Sequence, residues 1–235
     1  MVSLKPGRLS FLERFRQVMR QFIKNFAQLA AAHLPLAEPL YEFGALQVPG
    51  QEGFADLRPF FPGREYVGCD MREGLGVDRI LNLHHIDLAD ETVGAVLALD
   101  TLEHVEYPHR AMEEIHRILK PQGIAVISSV MKFPIHDFPY DYWRFTPEAF
   151  KSILKPFASS FVGYAGDELF PHTVVGIGFK GEDVRLSDGW NSAFQQWQEA
   201  SFNDSDESHW KRRLRSLIPP IILQWKRQVF TRHDV

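Results

Sequence analysis

The stretch from Leu40 to Asp70 limits the possible folds more than any other. It opens on a short apolar run (Leu40, Tyr41, Phe43) and crosses a loop bearing Gly44, Pro49, Gly50 and Gly53. Apolar spacing then resumes at Phe54, Leu57 and Phe60, as at the start of a helix. A second apolar run, Tyr66-Val-Gly-Cys-Asp70, ends on one carboxylate. Strand, glycine loop, helix, strand and acid is the order in which a doubly wound α/β sheet builds a nucleoside pocket. Glycines let the backbone approach a ligand, a helix N-terminus offers N–H groups, and an acid about 20–30 residues on takes both ribose hydroxyls. The pattern is common when it stands alone, so its meaning depends on the strands and helices downstream of Asp70.

Past that acid, Arg79–Leu83 reads as a short third strand, and Gly94–Asp100 as a central parallel strand buried on both faces. Pro108 to Leu119 has helical spacing that Lys120-Pro-Gln-Gly123 ends, and Ile124–Val130 is the next strand. Thr146-Pro-Glu starts a helix running to about Leu154. Too little chain separates Phe161–Tyr164 from Val174–Phe179 for a helical crossover, so these strands form an antiparallel pair at the sheet edge. Residues 9–32 form an amphipathic helix with Phe11, Phe15, Val18, Met19, Phe22, Phe26 and Leu29 on one side. Trp190, Phe194, Trp197 and Phe202 mark a late helix, Asn203–Ser208 a linker, and Trp210–Phe230 a basic apolar stretch. The expected organisation is therefore an N-terminal helix (1–35), an α/β domain (36–181) and a helical extension (182–235).

Charge is distributed unevenly behind a net value of −4. Residues 1–24 and 209–235 hold thirteen of the 26 Lys/Arg and two of the 30 Asp/Glu, leaving an acidic body between basic ends. Nucleic acid is not expected as a partner of such a body, because phosphate binding needs clustered positive charge. Two readings are open for the first helix: its phenylalanine stripe covers the core, or its basic face and the C-terminal stretch rest on anionic membrane. One cysteine, Cys69, and no apolar run of spanning length suggest a cytoplasmic protein, with membrane contact at most peripheral.

The segment Asn82 to Val105, ending Leu102-Glu-His-Val105, closely resembles class I S-adenosylmethionine-dependent methyltransferases of the type 11 small-molecule group. Arg117-Ile-Leu-Lys-Pro-Gln-Gly123 is similar to that family's Arg-x-Leu-Lys-Pro-Gly-Gly segment. Asp141-Tyr-Trp-Arg-Phe-Thr-Pro-Glu148 resembles a segment of a subset found among surface-glycan genes. The resemblance covers about Leu40 to Phe179. It implies a Rossmann-like methyltransferase fold, a mostly parallel seven-stranded sheet with an antiparallel last hairpin, and S-adenosylmethionine as cofactor. By position it implies that Glu42 and Gly44 lie under the methionine and that Gly50 belongs to the pocket loop. Asp70 would hold the ribose, Met71, Asn82 and Leu83 the adenine, and Asp100 and Leu102 would sit near the methyl. Three positions depart from the family. Leu46 replaces the second loop glycine, Asn82 stands for a commoner Asp, and Gly94 stands for a common Asp with little consequence expected.

Methyl transfer from a sulfonium needs near-attack geometry and, for a hydroxyl acceptor, a base near the carboxyl ends of the fourth and fifth strands. His104, His136, Asp137, Asp141 and Tyr142 are the candidates, with Arg144 to fix an anionic or hydroxylated acceptor. His136-Asp137 reads either as a base with its orienting acid or as an exposed turn. His104 reads as a base or as a loop hydrogen bonder, and Asp141 with Arg144 as an ion pair under a Tyr142-Trp143 lid. His84, His85, His109, His116 and His172 have no defensible ligand spacing, so no metal is expected. The resulting expectation is methyl transfer to a hydroxyl, less readily an amine, of a small molecule or glycan precursor. A nicotinamide-dependent oxidoreductase and a non-catalytic binding member of the fold are the alternatives.

Overall fold

The computed structural model describes residues 11–49, 52–136, 139–181 and 186–202, with the side chains of all of these except 11–20 and 202. The linker and basic stretch expected after Phe202 lie outside the described residues. In chain order come α1 (Phe11–His33), β1 (Leu40–Phe43), a 3-10 turn (Arg58–Phe60), β2 (Tyr66–Asp70), β3 (Arg79–Ile80) and β4 (Val93–Ala98). A second 3-10 turn (Leu102–His104), α2 (Pro108–Ile118), β5 (Leu119–Val130), α3 (Pro147–Ile153), β6 (Ser159–Asp167), β7 (Phe170–Phe179) and α4 (Asp188–Phe202) come next. The seven strands lie in one sheet ordered β3-β2-β1-β4-β5-β7-β6. Pairing is parallel from β3 through β5, and β7 runs antiparallel between β5 and β6.

Alternation along the central strands divides the core. Val93, Val96 and Ala98 of β4 and Ala125 and Ile127 of β5 pack toward α2 and α3, with Met112, Ile115, Phe150 and Ile153. Ala95 and Leu97 of β4 and Ile124 and Val126 of β5 face α1 and α4. Within α1, Ile23, Phe26, Ala27 and Ala30 are all fully buried. Phe22 stacks on Trp197 at 4.3 Å, and the Trp197 Nε1–H donates to the Phe22 carbonyl at 3.0 Å. The described part of the stripe therefore covers the core. Thr146 caps α3 by accepting from the Ala149 N–H at 3.1 Å, with Pro147 in the first turn.

Two local expectations are corrected. No α-helix joins β1 to β2 among the described residues; the 54–63 segment holds just the 3-10 turn. Pro59 and Pro62 explain this, since each removes an N–H donor and Pro62 drives Phe61 out of the helical region. The third strand keeps two of its five expected residues, because Asn82–His85 closes into a tight bridge. Lys120–Gly123, by contrast, has no partner in β4: the ladder jumps from Val93↔Leu119 to Ala95↔Ile124.

Arg117 ties the loop before β4 to α2. Its guanidinium donates to both Glu114 carboxylate oxygens (2.9 Å each), the carbonyls of Ile86 and Leu88 (2.8 Å each), and Asp90 (2.7 Å). The Arg117 hydrogen bond chiefly holds the Glu114 pKa down to about 2. A depressed carboxylate stabilises the fold above its ordinary value of 4.5, and that contribution is lost as pH falls toward 2. Urea unfolding of Arg117→Ala should show a loss of about 2 kcal/mol at neutral pH. Its stability should also fall less steeply than wild type over that acid window.

Candidate active site

Sheets of this order place ligands where the chain reverses direction, outside the carboxyl ends of β1 and β4. There Gly44 adopts φ +88°, and a Cβ on it would lie 2.4 Å from the Thr101 hydroxyl. That hydroxyl sits 3.0 Å from the carbonyls of both Phe43 and Leu99, so the β1 and β4 tips are stitched together. Glu42 is buried and accepts from the Tyr66 phenol at 2.6 Å. Gly50 lies outside the described residues. Ala45 and Leu46 lean on the loop after β2. A Cβ on Gly76 would lie 2.3 Å from the Ala45 carbonyl oxygen, and one on Gly74 would press on the tip of the Leu46 side chain at 2.4 Å. The glycine missing at position 46 is thus matched by glycines across the contact.

Asp70 ends β2 beside this loop, since the N–H groups of Gly44 and Ala45 both donate to the Cys69 carbonyl. Its Oδ1 accepts from the Arg72 backbone at 3.0 Å and side chain at 3.2 Å. Its side chain is 10% exposed, and Oδ2 has no partner among the described residues. Met71 is exposed. Asn82 comes after β3 at the same end, and its Oδ1 accepts from the His84 N–H at 2.8 Å. Leu83 and Leu102 are both buried in the core layer under α2. Asp100 takes φ +48° and exchanges hydrogen bonds of 2.9 Å with the Ser128 hydroxyl.

A second group lies past β4 and β5. The 3-10 turn carries Glu103, fully buried, whose Oε2 accepts from the Ser129 hydroxyl at 2.6 Å. His104 Nδ1 lies 2.7 Å from the Tyr140 carbonyl, and its ring meets the His136 ring edge-on at 4.7 Å. The orienting acid of His136 is Asp141: Nδ1 stands 3.3 Å from its Oδ2, which also accepts from the His136 N–H at 2.8 Å. Asp137 lies outside the described residues. Arg144 grips Asp141 with bonds of 2.5 and 2.7 Å and donates to the carbonyls of Phe133, Pro134 and Trp143. This clamp lowers the Asp141 pKa to about 2. Asp141 is therefore ionised with both oxygens engaged by Arg144, which also binds the loop carbonyls. Tyr142 and Trp143 are part-exposed, tied through their N–H groups to the Glu103 carbonyl. Glu103 is the member that sequence reasoning missed, although Leu102-Glu-His104 held the signal.

Residues 64–127 match the family model described as a methyltransferase domain. This segment, carried on a Rossmann-like methyltransferase fold, is what the chain shares with S-adenosylmethionine-dependent methyltransferases. Solved structures agree on the fold. A Thermotoga maritima S-adenosylmethionine-dependent methyltransferase, described as a possible histamine N-methyltransferase, is 19% identical with TM-score 0.50, over 72% of this chain and 98% of its own. A methyltransferase from Archaeoglobus fulgidus is 15% identical with TM-score 0.53, over 73% and 100%. The trans-methyltransferase CalH with bound S-adenosylhomocysteine is 14% identical with TM-score 0.53, over 72% and 58%. No curated protein matches the sequence. No helix among the described residues is long and apolar enough to cross a membrane.

Proposed function

We propose that the chain moves the methyl group of S-adenosylmethionine to a hydroxyl, less readily an amine, of a small molecule or glycan precursor. The acceptor docks over the tips of β4 and β5, beside His104 and His136. The observation that carries this reading is the pairing of two polar groups on either side of the reversal point. One is Asp70, with an oxygen left for a ribose diol; the other is the imidazole cluster, with Asp141 ionised behind it. In the reaction, an imidazole nitrogen takes the acceptor's O–H proton while the oxygen attacks the methyl carbon in line. A C–O bond forms as the C–S bond breaks, and the sulfonium becomes the neutral thioether of S-adenosylhomocysteine. Tyr142, exposed at the rim, borders the acceptor.

Calorimetry with S-adenosylhomocysteine tests the donor half. Asp70→Ala removes a charged acceptor worth about 1.5–3 kcal/mol, so binding should weaken roughly ten- to a hundredfold. Equal affinity in the variant, or no binding by wild type at millimolar ligand, rejects the assignment of this end of the sheet. The missing helix after β1 and the Arg72 bond to Asp70 favour a second reading, a member that binds without turnover. Methyl transfer to any acceptor eliminates it.

A further inference from the structure

Glu103, His104 and His136 each offer one ligand atom, and these atoms lie within 4.8 Å of one another. We infer that this cluster binds a divalent transition-metal ion, zinc or a first-row neighbour, and presents it to the acceptor. The inference rests on the proposed acceptor location over β4 and β5 and changes what activates the acceptor there.

Three observations carry it. The donor set is two imidazoles and one carboxylate, which fits tetrahedral zinc with one position left open, and also the two-histidine, one-carboxylate face used by other first-row ions. Each donor, moreover, is backed by an outer hydrogen bond of the kind that orients metal ligands. His104 Nδ1 meets the Tyr140 carbonyl at 2.7 Å, and His136 Nδ1 lies 3.2 Å from the Pro134 carbonyl and 3.3 Å from the Asp141 carboxylate, so an ion would take Nε2 of both rings. Ser129 donates to Glu103 at 2.6 Å, and Arg144 fixes Asp141 in turn. Finally, Glu103 has no exposed surface. The Arg144 guanidinium already acts on this carboxylate through space, and an ion bound at the cluster would add a second positive charge beside it.

The bland explanation is that these side chains glue the 131–145 loop to the 3-10 turn. That task is already done by Arg144, by the Trp143 indole donating to the Val105 carbonyl at 3.0 Å, and by the N–H groups of Tyr142 and Trp143. An ion in the open position would bind an acceptor oxygen and lower the pKa of its hydroxyl. Acceptors with two adjacent oxygens, such as a vicinal diol, would chelate it.

The test uses chelator-treated full-length protein titrated with zinc by calorimetry, and with cobalt(II) followed by visible absorption. One equivalent should bind at micromolar Kd or tighter, with cobalt bands characteristic of mixed nitrogen and oxygen ligands. His104→Ala and His136→Ala should each weaken binding about a hundredfold, and Asp141→Asn about tenfold through its orienting role. Binding of S-adenosylhomocysteine, measured on the same samples, should survive chelation and both histidine changes. No stoichiometric cation, or equal affinity in wild type and the histidine variants, overturns the inference. Loss of S-adenosylhomocysteine binding in wild type would instead reject the methyltransferase reading of the site.

Discussion

Replacing Gly94 by aspartate, the residue common at that position in the family the sequence resembles, is expected to prevent the domain from folding, and alanine to cost more than about 4 kcal/mol. The reason is the chain that enters β1. The N–H groups of Gly94 and Ala95 donate to the Pro39 carbonyl at 2.9 and 3.3 Å, which draws residues 37–39 across the start of β4. A Cβ at position 94 would lie 2.3 Å from the Ala37 carbonyl oxygen, 2.4 Å from its carbon and 2.6 Å from the Glu38 carbonyl oxygen. Those atoms are backbone and cannot swing aside as a side-chain tip does. The entry segment is itself anchored: Lys120 donates to the Glu38 carbonyl at 2.8 Å, and Arg64 pairs with the Glu38 carboxylate at 2.6 Å. Gly94 also sits at the ladder irregularity where β4 meets β5, a usual place for a strand glycine. Chemical denaturation of Gly94→Ala, with circular dichroism of Gly94→Asp, checks both outcomes. A wild-type midpoint for the alanine variant would mean that residues 37–39 do not ride on the sheet as described.

That expectation reverses what the sequence alone suggested, when the glycine looked like an inconsequential swap. Positions whose role comes from local pattern were legible. Tyr66–Asp70 occupies the residues its apolar run marked, and the continuous run at Gly94–Asp100 holds most of the doubly buried strand β4 (Val93–Ala98) beside the reversal point. Thr146-Pro147 starts α3, and the short link before β7 forces the antiparallel pair. What could not be read depends on contacts between segments distant in sequence. A Cβ clash at Gly94 is set by Ala37, and the tolerance for Leu46 is set by Gly74. His136 was weighed against its neighbour Asp137, yet its partner is Asp141, because Arg144 folds the loop back on itself. The helix expected at 54–60 failed on local grounds, where Pro59 and Pro62 outweighed apolar spacing, and so did the second half of the third strand, where the Asn82–His85 bridge ends it.

Removing the guanidinium of Arg144 should cost the protein about 3–5 kcal/mol, because it strands the Asp141 carboxylate, whose side chain is 2% exposed. The geometry leaves no exposed ion pair to discount. Both carboxylate oxygens are held at 2.5 and 2.7 Å, and three loop carbonyls share the same guanidinium. With its pKa held near 2 in the fold against an ordinary 3.8, Asp141 stabilises the protein above about pH 3.8 and ceases to do so as pH drops toward 2. Arg144→Lys keeps a positive charge but cannot form the two-point grip, so it should recover part of the stability. Asp141→Asn should lose less than Arg144→Ala, because an amide leaves no buried charge, and it should remove the acid-dependent component that wild type shows. The site responds too. Without the clamp the His136 ring loses its orienting partner, so methyl transfer should fall further than S-adenosylhomocysteine affinity, which depends on the other side of the reversal point. Parallel losses of turnover and S-adenosylhomocysteine binding would show that Arg144 supports the whole domain rather than the acceptor side. Unchanged stability in Arg144→Ala would mean that the loop is held by Trp143 and the Glu103 carbonyl alone.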